Sequence, residues 1–135
     1  MVRGDADAGR EGSETILIVE DEDIVRHAIR RLLKKLGYGV LEASDGTEAL
    51  TLMERATSPI HLVLTDVRMP GMGGAQLAAL LAGRRPRVPV LFMTGYAGED
   101  PVWPEDEHER RRWLLKPFSS VELAVAVRGA IDGTR

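Results

Sequence analysis

The chain contains no cysteine, and this absence removes several classes of function at once. Without cysteine there can be no disulfide framework, no thiolate nucleophile and no zinc site built on sulfur ligands. A chain without disulfides suits the reducing environment of the cytoplasm, which is the location we expect.

Long apolar runs and a strong excess of one charge are also lacking. No stretch approaches the roughly 18 apolar residues that a membrane-spanning helix needs, and the first 14 residues have no apolar core of a signal peptide. The 18 basic and 21 acidic residues leave a formal net charge of −3. This balance gives no electrostatic reason to expect contact with nucleic acid or a membrane surface.

What the chain does have is enough apolar sequence for one globular domain. It contains 135 residues, of which 44% are hydrophobic, and this is within the range of proteins with a packed core. Residues 1–14 are rich in Gly, Asp and Arg and are predicted to form a disordered tail or linker. We expect one domain over residues 15–132 and a short tail over 133–135.

Strand-like and helix-like patterns alternate along this domain. The strands are predicted at Thr15–Val19, around Val40–Leu41, and at Ile60–Thr65, Val90–Met93 and Trp113–Leu115. The helices are predicted at Asp23–Leu36, after Ser44–Asp45, at Gly74–Ala82, from near Pro104, and from Ser119 to about Ile131. Continuous apolar strands separated by helices indicate an α/β fold, with a single doubly wound five-stranded parallel sheet and helices on both faces.

Residues suited to chemistry follow several of these strands. Glu20 and Asp21 end the first strand, Asp66 ends the third, Thr94 follows the fourth and Lys116 follows the fifth. Ligands of open α/β sheets bind at the carboxyl ends of the strands. If the first and third strands are neighbours, three carboxylates meet there, and a cation such as Mg²⁺ is expected to offset their repulsion.

Each of these residues alone has a plain structural explanation. An acid after a strand is often a helix cap, a threonine there is often a turn residue, and most lysines are solvated. Together at successive strand ends they form a set suited to phosphoryl transfer. Carboxylates can hold a metal, Asp66 can act as the nucleophile, and Thr94 and Lys116 can bind the transferred oxygens.

Four segments of the chain resemble the response-regulator receiver domain. They are ILIVEDE at residues 16–22, LVLTDVRMPGM at 62–72, LFMTG at 91–95 and LLKPF at 114–118. The resemblance covers residues 15–132. It implies a flavodoxin-like fold with strand order 2-1-3-4-5 and a cis peptide bond between Lys116 and Pro117. It also implies a signalling module that is switched by phosphorylation.

The resemblance assigns roles to particular residues. Asp66 would accept a phosphoryl group from a histidine, and Thr94 and Lys116 would contact the phosphoryl oxygens. The expected Mg²⁺ ligands are Asp21, Asp66, the backbone carbonyl of Arg68, and Glu20 either directly or through water. Thr94 and Trp113 occupy the switch positions, where Trp113 is bulkier than the usual Tyr or Phe.

The resemblance also implies partners. We expect a histidine kinase or a histidine phosphotransfer protein as the phosphoryl donor, and we favour a monomer. The segments around Thr15 and Asp66 are similar to receivers at the C-terminus of hybrid sensor histidine kinases. Such a domain is not an enzyme beyond catalysing its own phosphorylation and slow dephosphorylation.

Three alternatives share this fold class. A phosphatase with an aspartyl nucleophile usually needs an acid two residues after the nucleophile, where this chain has Arg68. A flavin-binding protein needs a phosphate-binding loop after the first strand, where this chain has acids that repel phosphate. A docking scaffold that is never phosphorylated is disfavoured by the complete set of Asp21, Asp66, Thr94 and Lys116.

Overall fold

In the computed structural model, which describes residues 13–95 and 112–133, β-strands and α-helices follow one another along the chain. The elements are β1 Thr15–Val19, α1 Asp23–Lys35, β2 Gly39–Ala43, α2 Gly46–Arg55, β3 Leu62–Asp66, α3 Gly74–Arg84, β4 Val90–Thr94, β5 Trp113–Leu115 and α4 Ser120–Asp132. The helix predicted from Pro104 lies outside the described residues.

The strands form one parallel sheet in the order β2-β1-β3-β4-β5. This confirms the predicted fold class and strand order. Because β1 has β2 on one side and β3 on the other, the chain changes direction across the sheet at β1. Carboxyl ends of strands at such a switch point form a crevice that commonly binds ligands.

The sheet is buried on both faces, which explains why its central strands are continuously apolar. Side chains alternate along a strand, so Ile16 and Ile18 pack into one apolar cluster while Leu17 and Val19 pack into the other. Residues of α1 and α4 complete the first cluster, and residues of α2 and α3 complete the second.

Short-range features mark the ends of three helices. The Asp45 side chain accepts a hydrogen bond from the Glu48 amide at 2.8 Å and caps α2. Ser119 and Glu122 form a capping box at the start of α4. Gly37 follows α1 with a φ of 95°, which a residue with a side chain rarely adopts.

Glu14, the last residue of the segment predicted as a tail, makes hydrogen bonds with α4. The guanidinium of Arg128 donates to Glu14 Oε2 at 2.7 Å and to Glu14 Oε1 at 3.3 Å. On its other side it donates to Asp132 Oδ1 at 3.0 Å, and it lies 3.4 Å from the Tyr38 hydroxyl. The hydrogen bond from Arg128 lowers the pKa of Glu14 despite the opposing effect of burial.

We predict that Glu14→Gln lowers the free energy of unfolding near neutral pH by about 1 kcal/mol, because the charge-assisted hydrogen bond with Arg128 is lost. The effect is this small because the paired carboxylate is partly exposed and its charge is screened by solvent. The folded protein holds the pKa of Glu14 below its ordinary value of 4.5. The advantage of the native residue is therefore present above that value and declines as the pH falls through the folded-state pKa. Denaturant unfolding of both proteins, in steps down to the lowest pH at which both stay folded, measures it. A difference that does not vary with pH would contradict this account.

Candidate functional site

The ends of β1 and β3 bring three carboxylates together. Glu20, Asp21 and Asp66 each offer one oxygen atom, and these atoms all lie within 4.8 Å of one another. The register explains the convergence, since Val19 at the end of β1 pairs with Thr65, the residue before Asp66. The structure thus gathers the acids that the sequence placed at the strand ends.

Lys116 supplies the positive charge of this cluster. Its Nζ donates to Glu20 Oε1 at 2.7 Å and to Asp66 Oδ2 at 3.0 Å. Lys116 directly follows β5 and precedes a cis bond to Pro117, and its backbone amide donates to the Thr94 carbonyl at 2.8 Å. One ammonium group faces three carboxylates, so with all four groups ionised the cluster keeps a net negative charge.

The carboxyl group of Glu20 is fully buried, and its neighbours have opposing effects on its pKa. Burial raises the pKa of Glu20, while the hydrogen bonds from Lys116 and from the Glu22 amide, at 3.2 Å, act to lower it. For Lys116, burial alone would lower the pKa, but the hydrogen bonds to Glu20 and Asp66 outweigh burial and raise it. Lys116 therefore stays protonated at neutral pH.

Asp66 is the more accessible partner of this ion pair. Its side chain is 14% exposed, whereas that of Glu20 is 0% exposed. The Arg68 amide donates to Asp66 Oδ1 at 3.3 Å, which places the main chain of the loop after β3 beside the carboxylate. The side chain of Arg68 lies at the exposed surface.

The two residues predicted to act as the switch, Thr94 and Trp113, lie on neighbouring strands. Thr94 is buried at the end of β4 and pairs in register with Leu115. Trp113 is half-buried at the start of β5, and its ring centre lies 5.0 Å from that of Phe92 at an interplanar angle of 35°. The register therefore places Thr94 at the same edge of the sheet as Asp66, one strand further across, and Trp113 opposite Phe92, two residues before that edge.

Gly74 has a role at this site that the sequence did not reveal. The run of glycines after Asp66 suggests flexible turn geometry, and Gly71 does have a φ of 74°. At Gly74, however, an added Cβ would overlap the backbone carbonyl of Asp66. The Gly74 amide also donates to the Val67 carbonyl at 2.9 Å. Close backbone approach, rather than flexibility, is what requires glycine at this position.

We predict that Gly74→Ala destabilises the protein by about 2 kcal/mol, because the clash is with backbone and cannot be relieved by a rotamer change. Gly83→Ala is the matched control within the same helix. A Cβ at Gly83 meets nothing within 4 Å, so this variant should gain about 0.5–1 kcal/mol from helix propensity. Denaturant unfolding of both variants measures the two values, and equal effects of the same sign would refute the packing argument.

Comparison with known proteins agrees with this geometry. The family described as response regulator receiver domain matches residues 16–128. The chain belongs to this family. Receiver domains are signalling modules switched by phosphorylation, and they are generally not enzymes in the usual sense. They bind Mg²⁺ at an acidic pocket, and an acidic cluster is present here.

Two curated relatives support the assignment to the receiver domain family. The chain is 38% identical over 121 residues to the sensor kinase CckA of Brucella abortus, covering 90% of this chain and 13% of the kinase. It is 40% identical over 118 residues to the positive alginate biosynthesis regulatory protein of Pseudomonas aeruginosa, covering 85% of this chain and 46% of that protein. This receiver domain thus spans less than half the length of either relative.

Solved receiver domains have the same fold. The receiver domain of the hybrid histidine kinase CckA superposes with a TM-score of 0.70 at 38% identity, covering 87% of this chain and 98% of that one. A response regulator receiver domain protein from Clostridium thermocellum superposes with a TM-score of 0.73 at 26% identity, covering 89% and 95%. Within the described part of this receiver domain, no helix has the length and apolar character needed to cross a bilayer.

Proposed function

We propose that this receiver domain takes a phosphoryl group from a phosphohistidine onto Asp66 in a reaction that depends on Mg²⁺. One observation carries the proposal. Asp66 is a partly exposed carboxylate of the cluster, and it lies within 4.8 Å of the other two acids and 3.0 Å from the Lys116 ammonium. A nucleophile, a metal-binding set and a cation for the transferred group therefore meet at one strand edge.

The residues present fit Mg²⁺, which prefers oxygen ligands. The cluster offers carboxylate oxygens from separate side chains, and its net negative charge favours a divalent cation. The proposed ligands are Asp21, Asp66, the Arg68 carbonyl, and Glu20 directly or through water. When bound, Mg²⁺ would offset negative charge on the phosphoryl oxygens and help to orient them.

In the proposed transfer, a carboxylate oxygen of Asp66 attacks the phosphorus atom of phosphohistidine. The new P–O bond forms as the P–N bond breaks, and the departing imidazole nitrogen keeps the electron pair and takes up a proton from the solvent. Lys116 then donates to a phosphoryl oxygen in place of a carboxylate oxygen. The hydroxyl of Thr94 donates to another, which would draw β4 towards Asp66.

The switch would act through Thr94 and Trp113. Movement of Thr94 would alter the end of β4, two residues after Phe92, which packs against the Trp113 ring. The large indole makes Trp113 a natural reporter of the change. Phosphorylation would in this way alter the surface that β5 presents to a partner.

We further propose that the donor is a histidine kinase or a histidine phosphotransfer protein, and that the domain works as a monomer in the cytoplasm. Support for a kinase-linked receiver comes from the similarity to the receiver domain of a hybrid histidine kinase. Arg68 stands where an aspartyl phosphatase would need its second acid, which disfavours that enzyme class. The docking scaffold remains the alternative that the next experiment excludes or supports.

We predict that acetyl phosphate with Mg²⁺ adds one phosphoryl group to the native chain and none to Asp66→Asn, because the amide oxygen is a poor nucleophile. Asp132→Asn makes the same chemical change at the opposite end of the domain and should leave phosphorylation intact. Intact-mass spectrometry measures the addition. A stable phosphoryl group on Asp66→Asn would refute the assignment, and no addition to the native chain would favour the docking scaffold.

The first turn of α1 offers a surface for the phosphoryl donor. Ile24 is 86% exposed, which is unusual for a large apolar side chain. It follows Glu20 by four residues in the sequence. Ala28 and Arg31 are exposed further along the same helix. We therefore propose that these three residues contact the protein that carries the phosphohistidine.

We predict that Ile24→Glu slows phosphorylation by a protein donor about tenfold while leaving the rate with acetyl phosphate unchanged. The new charge would disrupt an apolar contact of roughly 1.4 kcal/mol without altering the acidic cluster. Time courses with both donors give the comparison. Equal slowing with both donors would show that the substitution damaged the site itself.

A further inference from the structure

Arg26 in α1 is held by three separate parts of the structure although arginine is normally a surface residue. Its side chain is only 12% exposed. Its Nη1 donates to the backbone carbonyl of Glu20 at 2.8 Å, its Nε donates to Glu42 Oε1 in β2 at 3.1 Å, and its Nη2 donates to Asp23 Oδ1 at 2.7 Å. The guanidinium thus connects the end of β1 to β2 and to the start of α1.

The contact with the Glu20 carbonyl acts on the peptide group next to Asp21. That carbonyl belongs to the planar peptide group that joins Glu20 to Asp21. The Glu20 amide is also held, since it donates to the Ala43 carbonyl at 3.1 Å. The N-cap residue Glu22 makes no side-chain capping bond. A side-chain cap at the start of α1 therefore does not fix the loop between β1 and α1.

We propose that Arg26 is a positioning residue that aligns Asp21 with Asp66 for metal binding. This inference rests on the proposed function, because it assumes that the acidic cluster holds Mg²⁺. Arg26 does not touch the carboxylate oxygens of the cluster; it acts by fixing the peptide group that carries Asp21. Residues that orient metal ligands in this way commonly affect affinity by about tenfold or more when they are replaced.

The charge of Arg26 and its hydrogen bond to the Glu20 carbonyl should affect Mg²⁺ affinity in opposite directions. A guanidinium near the site repels a cation, so removing it should tighten Mg²⁺ binding if charge were its only effect. Arg30, one turn further along α1, has its Nε 3.4 Å from Glu42 Oε2. Among the described residues it makes no hydrogen bond with the Glu20 carbonyl. Replacing Arg30 therefore removes the same charge without releasing the Asp21 peptide.

The experiment measures Mg²⁺ affinity by isothermal titration calorimetry, without a phosphoryl donor and well below the unfolding temperature. Arg26→Met should bind Mg²⁺ about tenfold more weakly than the native chain. Arg30→Met should bind it equally well or slightly more tightly. Arg26→Lys should recover part of the loss, since an ammonium group can reach one acceptor but cannot reproduce the planar fork.

The outcomes separate this inference from the proposed function. Native Mg²⁺ binding that Arg26→Met leaves unchanged or tightens would overturn the positioning role and leave the metal site standing. Equal weakening by Arg26→Met and Arg30→Met would also overturn it, because the effect would then belong to the pairing with Glu42. A native chain that binds no Mg²⁺ would overturn both proposals. If Arg26→Met fails to fold, Arg26→Lys decides: native affinity refutes the role and weaker binding supports it.

Discussion

The repulsion between carboxylates at one edge of the sheet is the constraint on which the rest of the site depends. At an effective dielectric near 20, two such charges about 4 Å apart repel by roughly 4 kcal/mol, and here three lie within 4.8 Å of one another. Lys116 offsets part of this cost, and it comes from the end of β5 whereas the acids come from β1 and β3. The strands between them must be paired correctly before these charges can meet, so the stability of the cluster is linked to the order of the whole sheet.

Backbone geometry does as much for this site as side-chain chemistry. Gly74 allows the start of α3 to lie against the Asp66 carbonyl, and Arg26 holds the carbonyl of Glu20 from the second turn of α1. Both contacts act on the peptide groups that carry acidic residues rather than on the acids themselves. The backbone contacts therefore fix the positions from which the acidic side chains extend, and this preorganisation favours binding of a cation.

Local features were predictable from the sequence because they depend on neighbouring residues. The strand from Thr15 to Val19, the capping box of Ser119 and Glu122, and the turn at Gly37 each follow from short-range patterns. The sheet order followed from the family resemblance, since periodicity alone does not fix which strands pair. Glu14, Gly74 and Arg26 were missed as structural residues for one reason. Their partners are distant in sequence or are backbone atoms, and neither kind of contact leaves a local pattern.

The clamp of Arg128 on Glu14 and Asp132 has a geometrical consequence for access to Asp66. It joins the first residues of the domain to the last turn of α4, at the amino ends of the parallel strands. The acidic cluster lies at their carboxyl ends. The described ends of the domain, at Glu14 and Asp132, therefore lie at the pole opposite Asp66. An attachment at that pole would leave the edge of the sheet that carries Asp66 accessible to a second protein.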